Sequence, residues 1–135
     1  MEIQGGCLCG AVRYSAQAEP AFVIVCHCRD CQKFTGSAFA TLVAVPKNAL
    51  SFEGEPKTFT ATADSGRPIG RQFCPDCGSS LCEISASRPD LLILNAGTLD
   101  DPTSVTPPVR EIYCDRAFPW VKLDGNLQRF PKMPT

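Results

Sequence analysis

The sequence predicts a mainly β protein, built of several small antiparallel sheets joined by tight turns and stapled by bound metal. Three observations carry this. Apolar residues come in short runs, several of them alternating with a period of two. No stretch shows an amphipathic pattern of helical length. Most of the nine cysteines are clustered.

The elements follow in order. Residues 11–16 alternate, with Val12 and Tyr14 on one side and Arg13 on the other. Residues 22–25 are apolar and rich in β-formers. Phe39, Thr41, Val43 and Val45 share one face of a strand that ends at Pro46. Residues 50–53, 57–62, 69–73, 80–85 and 91–95 are further strand candidates, separated by Gly, Pro, Asp and Ser. Residues 109–114 and 120–123 close the set, with Trp120 expected in the core. Only residues 30–35 invite a helix, one or two turns long and stopped by Gly36. With no repeat, low-complexity tract or linker, the 135 residues read as one domain. Twelve prolines and ten glycines leave a thin core, for which a metal staple would compensate.

Composition narrows the function. The chain is 44% hydrophobic and 20% charged, with a formal charge of −1, so neither a nucleic acid nor a membrane surface is expected as partner. Met1-Glu2-Ile3-Gln4 lacks the basic and apolar segments of a signal peptide, and no apolar stretch approaches the roughly 20 residues of a membrane span. The expected location is cytoplasmic. In that reducing compartment, clustered thiols point to metal binding or chemistry rather than to disulfides.

Seven of the nine cysteines form three groups. Cys7-Leu8-Cys9 is C-x-C, Cys26-His27-Cys28-Arg29-Asp30-Cys31 is C-x-C-x-x-C, and Cys74-Pro75-Asp76-Cys77 is C-x-x-C. Zinc takes four such ligands tetrahedrally, and a C-x-x-C turn presents two sulfurs to one ion. Gly10 and Gly78 each follow a cysteine, where a glycine lets the backbone turn its amides toward the sulfurs. Cys7 and Cys9 with Cys74 and Cys77 would complete a closed site. That would leave Cys26, Cys28 and Cys31 as three ligands with one open position. Other partitions satisfy the spacing equally.

These motifs have a familiar order. Residues 6–14 (GCLCGAVRY), 26–36 (CHCRDCQKFTG) and 73–79 (FCPDCGS), with 96–102 (AGTLDDP), Trp120-Val121 and Asp124-Gly125, resemble the glutathione-dependent formaldehyde-activating enzyme family, which includes centromere-protein-V-like proteins. The likeness runs from about residue 5 to 130. It implies a β-tent zinc fold and two zincs per chain. Cys7, Cys9, Cys74 and Cys77 would hold a structural zinc, and Cys26, Cys28 and Cys31 an accessible one. It also implies a carbon–sulfur lyase run in the synthetic direction, with a glutathione-like thiol and formaldehyde giving S-hydroxymethylglutathione. A homodimer is left open. The chain departs from the pattern twice. Glu111 stands before Ile112 where the pattern has histidine, and Cys114 falls where it has no cysteine.

The remaining residues have specific expectations. Three thiolates around one zinc make a weak Lewis acid, better suited to delivering an incoming thiolate than to polarising a carbonyl. His27, flanked by two ligands, is expected to turn away from the ion and hydrogen-bond locally. Arg29 and Lys33 are the nearest cations to meet the carboxylates of glutathione, although both read more simply as solvated charges. Thr35 and Ser37 read as turn caps and Cys82 as a small buried residue. Cys114 as a late fourth ligand would close the second site. Two other readings stand beside the enzyme: a non-catalytic, zinc-stabilised binding or chaperone module, and a thiol-based sensor.

Overall fold

The computed structural model describes residues 1–123 and 125–134; Asp124, quoted above among the family motifs, lies outside them. The mainly β expectation holds, with one α-helix among the described residues. Strands β1 (Glu2–Gly6), β2 (Arg13–Gln17) and β5 (Leu50–Glu53) form a three-stranded sheet. β3 (Phe22–Cys26), β4 (Ala40–Pro46), β6 (Lys57–Thr62), β7 (Pro68–Phe73), β8 (Ser80–Ser85), β9 (Leu91–Asn95), β10 (Arg110–Ile112) and β11 (Gln128–Arg129) form an eight-stranded one. Its order is β11-β10-β3-β4-β9-β8-β7-β6. Not every pairing is antiparallel: β10 runs parallel to both β3 and β11.

The larger sheet is covered on both faces, which explains its unbroken apolar runs. Along β3, β4 and β9 the side chains alternate between two cores. Val23, Val43, Val45, Leu92 and Leu94 join Ile3, Val12, Tyr14 and Ala16 of the smaller sheet. Ile24, Leu42, Ala44 and Ile93 lie in the other core with Cys26, Cys31 and Ile112. Cys7 and Cys74 belong to the first core, so the two sets of cysteines fall on opposite faces of one sheet.

β1 carries little signal of its own. Its sequence, EIQGG, buries Ile3 and Gly5, and its strand character comes from pairing with β2, Ile3 opposite Ala16 and Gly5 opposite Tyr14. Gly5 admits no side chain: a Cβ there would meet the Thr98 carbonyl oxygen at 2.3 Å and the Tyr14 hydroxyl at 2.4 Å. That hydroxyl and Thr98 Oγ1 are hydrogen-bonded at 2.7 Å.

The C-terminal part corrects one expectation. Residues 120–123 form no strand, because Phe118-Pro119-Trp120-Val121 turns, with the Val121 amide donating to the Phe118 carbonyl at 3.0 Å. Trp120 is therefore not core. It is 74% exposed and packs against Phe118, ring centroids 5.6 Å apart. The strand expected over 109–114 ends at Ile112, since Tyr113 takes a left-handed conformation (φ 55°) before a single helical turn, Cys114–Arg116.

Candidate metal centres and the adjoining cavity

Four cysteines come together at one end of the smaller sheet. Cys7 and Cys9 sit in the loop leaving β1, and Cys74 and Cys77 in the loop leaving β7. Their sulfurs all lie within 4.8 Å of one another. Both loops are knuckles: the Gly10 amide donates to the Cys7 carbonyl and the Gly78 amide to the Cys74 carbonyl, at 3.2 and 2.9 Å. Gly10 (φ 83°) and Gly78 (φ 77°) take the left-handed conformation this requires. The amides of Val12 and Asp76 then donate to Cys7 Sγ (3.2 Å) and Cys74 Sγ (3.4 Å). Such amide–sulfur bonds favour thiolate. At Cys77 the Ser79 hydroxyl, 3.2 Å away, and the Ser79 amide pull the thiol down to about 5.

Three further cysteines gather on the other face of the large sheet. Cys26 ends β3, Cys28 caps helix α1 (Arg29–Thr35), and Cys31 lies in its first turn. Their sulfurs also fall within 4.8 Å of each other. The Cys31 amide donates to Cys28 Sγ at 3.2 Å. Hydrogen bonds from Cys26 and Cys31 draw Cys28 down to about 2. Its bond with Cys28 is the main cause that pushes Cys26 up to about 12, and Cys31 is raised too, first by Cys26 and then by Cys28. Both clusters offer the soft donors, close spacing and amide support that a tetrahedral thiophilic ion requires, so both fit zinc.

The two differ in what lies beside them. Cys26, Cys28 and Cys31 line a cavity of about 380 Å³, and none of the other four does. Within this wall Glu83 is buried and receives Arg71 Nη1 at 2.8 Å. Arg71 also lies 4.0 Å from Asp30 and over the Phe34 ring, 5.5 Å from its centroid. Burial raises the Glu83 carboxyl, and Arg71 pulls the other way. The sequence reading missed this pair. Its signal was an Arg and a Glu at inward positions of successive strands, Ile69–Arg71 and Leu81–Glu83, where apolar residues belong.

The other expected site residues fall as follows. His27 is fully buried and stands outside both cysteine sets; Nε2 meets Glu111 Oε1 at 2.9 Å. The other ring nitrogen, Nδ1, has no hydrogen-bond partner among the described residues. Glu111, the departure from the family pattern, is thus the partner of a buried histidine and lies 3.5 Å from Arg129 Nε. Cys114 gathers with His27 and Glu111, not with Cys26, Cys28 and Cys31. Gln32 locks this corner by donating to the carbonyls of His27 (2.8 Å) and Arg116 (3.1 Å). Arg29 lines the cavity and donates to Gln32 Oε1, while Lys33 is exposed and outside it. Thr35 caps Cys31, its hydroxyl donating to that carbonyl at 2.7 Å, and Ser37 binds Thr35. Cys82 is fully buried, which pushes its thiol up to about 12.

Fold and sites define a small β protein with thiol clusters suited to metal. Residues 2–116 match the family described as glutathione-dependent formaldehyde-activating enzyme, and the chain belongs to that family. It is 25% identical over 133 residues to a Halomonas elongata protein named provisionally as such an enzyme, a match covering 95% of this chain and 85% of that one. A crystal structure of a Rhodobacter sphaeroides protein superposes with a TM-score of 0.61 at 20% identity, over 78% of this chain and 96% of that one, and supports the fold alone. No helix among the described residues is long and apolar enough to cross a membrane.

Proposed function

We propose that the chain is a cytoplasmic, single-domain, zinc-dependent carbon–sulfur lyase that joins a small thiol to an aldehyde. The observation that carries this reading is the asymmetry of the thiol clusters: three sulfurs face a cavity, whereas four complete a set away from it. Cys7, Cys9, Cys74 and Cys77 would hold a structural zinc, and Cys26, Cys28 and Cys31 a second one with a position left for substrate. Zinc there would lower the pKa of a bound thiol enough to make it thiolate at neutral pH.

The rest is the work of the chain. In the reaction a sulfur–carbon bond forms, the carbonyl π pair moves to oxygen, and the thiol proton is ultimately replaced by one on that oxygen. The cavity wall brings the partners together, which alone lowers the barrier substantially. Glu83, a buried carboxyl whose pKa is raised by that burial, is the group in the wall best suited to hold the proton in transit. Arg71 fixes its orientation.

Zinc stoichiometry and zinc-edge X-ray absorption, with and without glutathione, test this reading. Two zincs per chain and a higher mean sulfur count with thiol are expected. One zinc, or two all-sulfur zincs indifferent to thiol, would replace it with a non-catalytic zinc module.

A further inference from the structure

Tyr113 is the one non-glycine residue in the left-handed region among those described (φ 55°). For a bulky side chain that conformation is strained, and it persists only where the surroundings fix it. Backbone hydrogen bonds fix it here. The Tyr113 amide donates to the Lys132 carbonyl (3.1 Å), and those of Cys114 and Asp115 donate to Phe130 (3.0 Å) and Pro131 (3.2 Å). The Arg116 amide returns to the Tyr113 carbonyl at 3.0 Å. A glycine or asparagine would turn the chain with less strain. Core packing does not require the tyrosine either, because it is only half-buried. Tyr14, the other tyrosine, shares a hydrogen bond with Thr98, whereas the Tyr113 hydroxyl has no partner among the described residues.

The strained position places Tyr113 at the three-cysteine set. Ile112 lies opposite Cys26, and the His27 amide donates to the Ile112 carbonyl at 3.1 Å. Tyr113 therefore follows directly beside the turn from Cys26 to Cys28, and it lines the cavity with both. The other donors in the wall are less well placed. Arg29, Arg88 and Arg116 are exposed. Ser85, the other half-buried hydroxyl, is on β8, three strands removed from β3, and accepts from the Ser87 amide.

We propose that Tyr113 is a catalytic residue of the thiol–aldehyde addition, its phenol donating a hydrogen bond to the aldehyde oxygen beside Cys26, Cys28 and Cys31. This inference rests on the proposed function, in which the second cysteine set accepts the thiol. As the sulfur–carbon bond forms, the carbonyl π pair moves to oxygen, and the phenol meets the charge that develops there. A phenol is protonated at neutral pH and is a ready donor. Tyr113 keeps its own proton; the one that the oxygen finally takes is the proton that left the thiol and passed through Glu83. A centre with three cysteinates is a weak Lewis acid, which leaves the oxygen to donors of the chain. The fixed turn holds such a donor in place before the reaction, so none of the gain is lost to reorganisation.

The full, zinc-loaded chain tests this with glutathione and formaldehyde at equilibrium, the exchange between free thiol and adduct being followed by NMR. Tyr113→Phe keeps the ring and the turn and removes only the hydroxyl. Its catalysed exchange rate at saturating substrate is expected to fall roughly a hundredfold, with little change in KM for glutathione. A variant that keeps the parent's rate, or loses affinity alone, would overturn the role of Tyr113 while leaving the thiol site standing. A parent no faster than the uncatalysed reaction would overturn the proposed function and this inference together. A second readout does not depend on turnover. With both tyrosines labelled with carbon-13 at Cζ, the Tyr113 signal is expected to move when formaldehyde is added to the glutathione-bound chain, while the Tyr14 signal stays. A Tyr113 signal that stays as well would overturn the contact. Loss of one signal in Tyr113→Phe assigns the pair, and Tyr14→Phe does so if that variant does not fold.

Discussion

The two cysteine clusters invert the usual link between exposure and openness. In the four-cysteine set Cys9 and Cys77 are exposed, yet four sulfurs would fill the coordination of a tetrahedral ion and leave it nothing further to bind. In the three-cysteine set Cys26 and Cys31 are buried, yet three sulfurs would leave a tetrahedral ion one position short, and a cavity lies beside them. Openness at a metal is thus a matter of ligand count and of what adjoins the centre. Solvent exposure of the ligands does not report it.

That contrast predicts unequal consequences of losing a ligand, and the largest belongs to the four-cysteine set. Cys74 is fully buried, in the same core as Leu81 and Leu94, and links the loop after β7 to the loop after β1. Zinc held by such a set is folding free energy, on the order of 10 kcal/mol or more in small zinc modules, which rivals the whole stability of a domain. Cys74→Ser is expected to abolish cooperative thermal unfolding followed by circular dichroism. A cooperative melt close to that of the parent would show that this cluster holds nothing structural.

Next in size is the buried pair beside the three-cysteine set. Glu83→Gln keeps an oxygen that can accept from Arg71 but removes the charge 2.8 Å from it, leaving the carboxylate of Asp30 at 4.0 Å. Removing one member of a buried pair costs about 3–5 kcal/mol, and the residual Asp30 contact places this case at the low end. Denaturant unfolding measures it. A change below about 1 kcal/mol, the worth of an exposed pair, would mean that water reaches Arg71.

Cys28→Ser sharpens the comparison from the other side. It removes a ligand from the set whose ion would serve binding, so the zinc count is expected to fall from two per chain to one while the far-UV spectrum and the cooperative melt persist. A loss of folding like that expected for Cys74→Ser would make the two centres equivalent and both structural.

What the sequence made legible divides along the same line. Metal spacing and the knuckle glycines are local, so seven cysteines and the short helix were readable from order alone. The Cys7–Cys9 loop and the Cys74–Cys77 loop meet only because the β1–β2 hairpin packs on the large sheet, so spacing left the partition open. β1 was missed because Gln4, Gly5 and Gly6 have no strand propensity; pairing with β2 imposes the conformation. Trp120 misled in the opposite direction, since Pro119 turns the chain and leaves an apolar ring outside. The cavity was not readable at all, because its floor is assembled from strands whose order in the sheet is not their order in the chain.

The smallest effect concerns the frame around the four-cysteine set. Arg13, on β2 just past the Cys7–Cys9 loop, holds both oxygens of Asp100 in a two-point pair at the surface. The Arg13 hydrogen bond is the main cause that keeps the Asp100 carboxyl below its ordinary value. A carboxyl lowered in the folded state stabilises only while it is ionised. Its contribution is therefore present above the unfolded value of about 3.9 and is lost as pH falls through the lower folded one. The Asp100→Asn variant is expected to melt slightly below the parent at neutral pH and to converge with it once the pH has fallen through that lowered value. Added salt should narrow the neutral-pH gap, because both partners are solvated and screened. A gap that persists into acid would mean that Asp100 acts through packing rather than charge. The segment from Thr98 to Asp100, which also contacts Tyr14 and Gln4, would then brace β1 sterically.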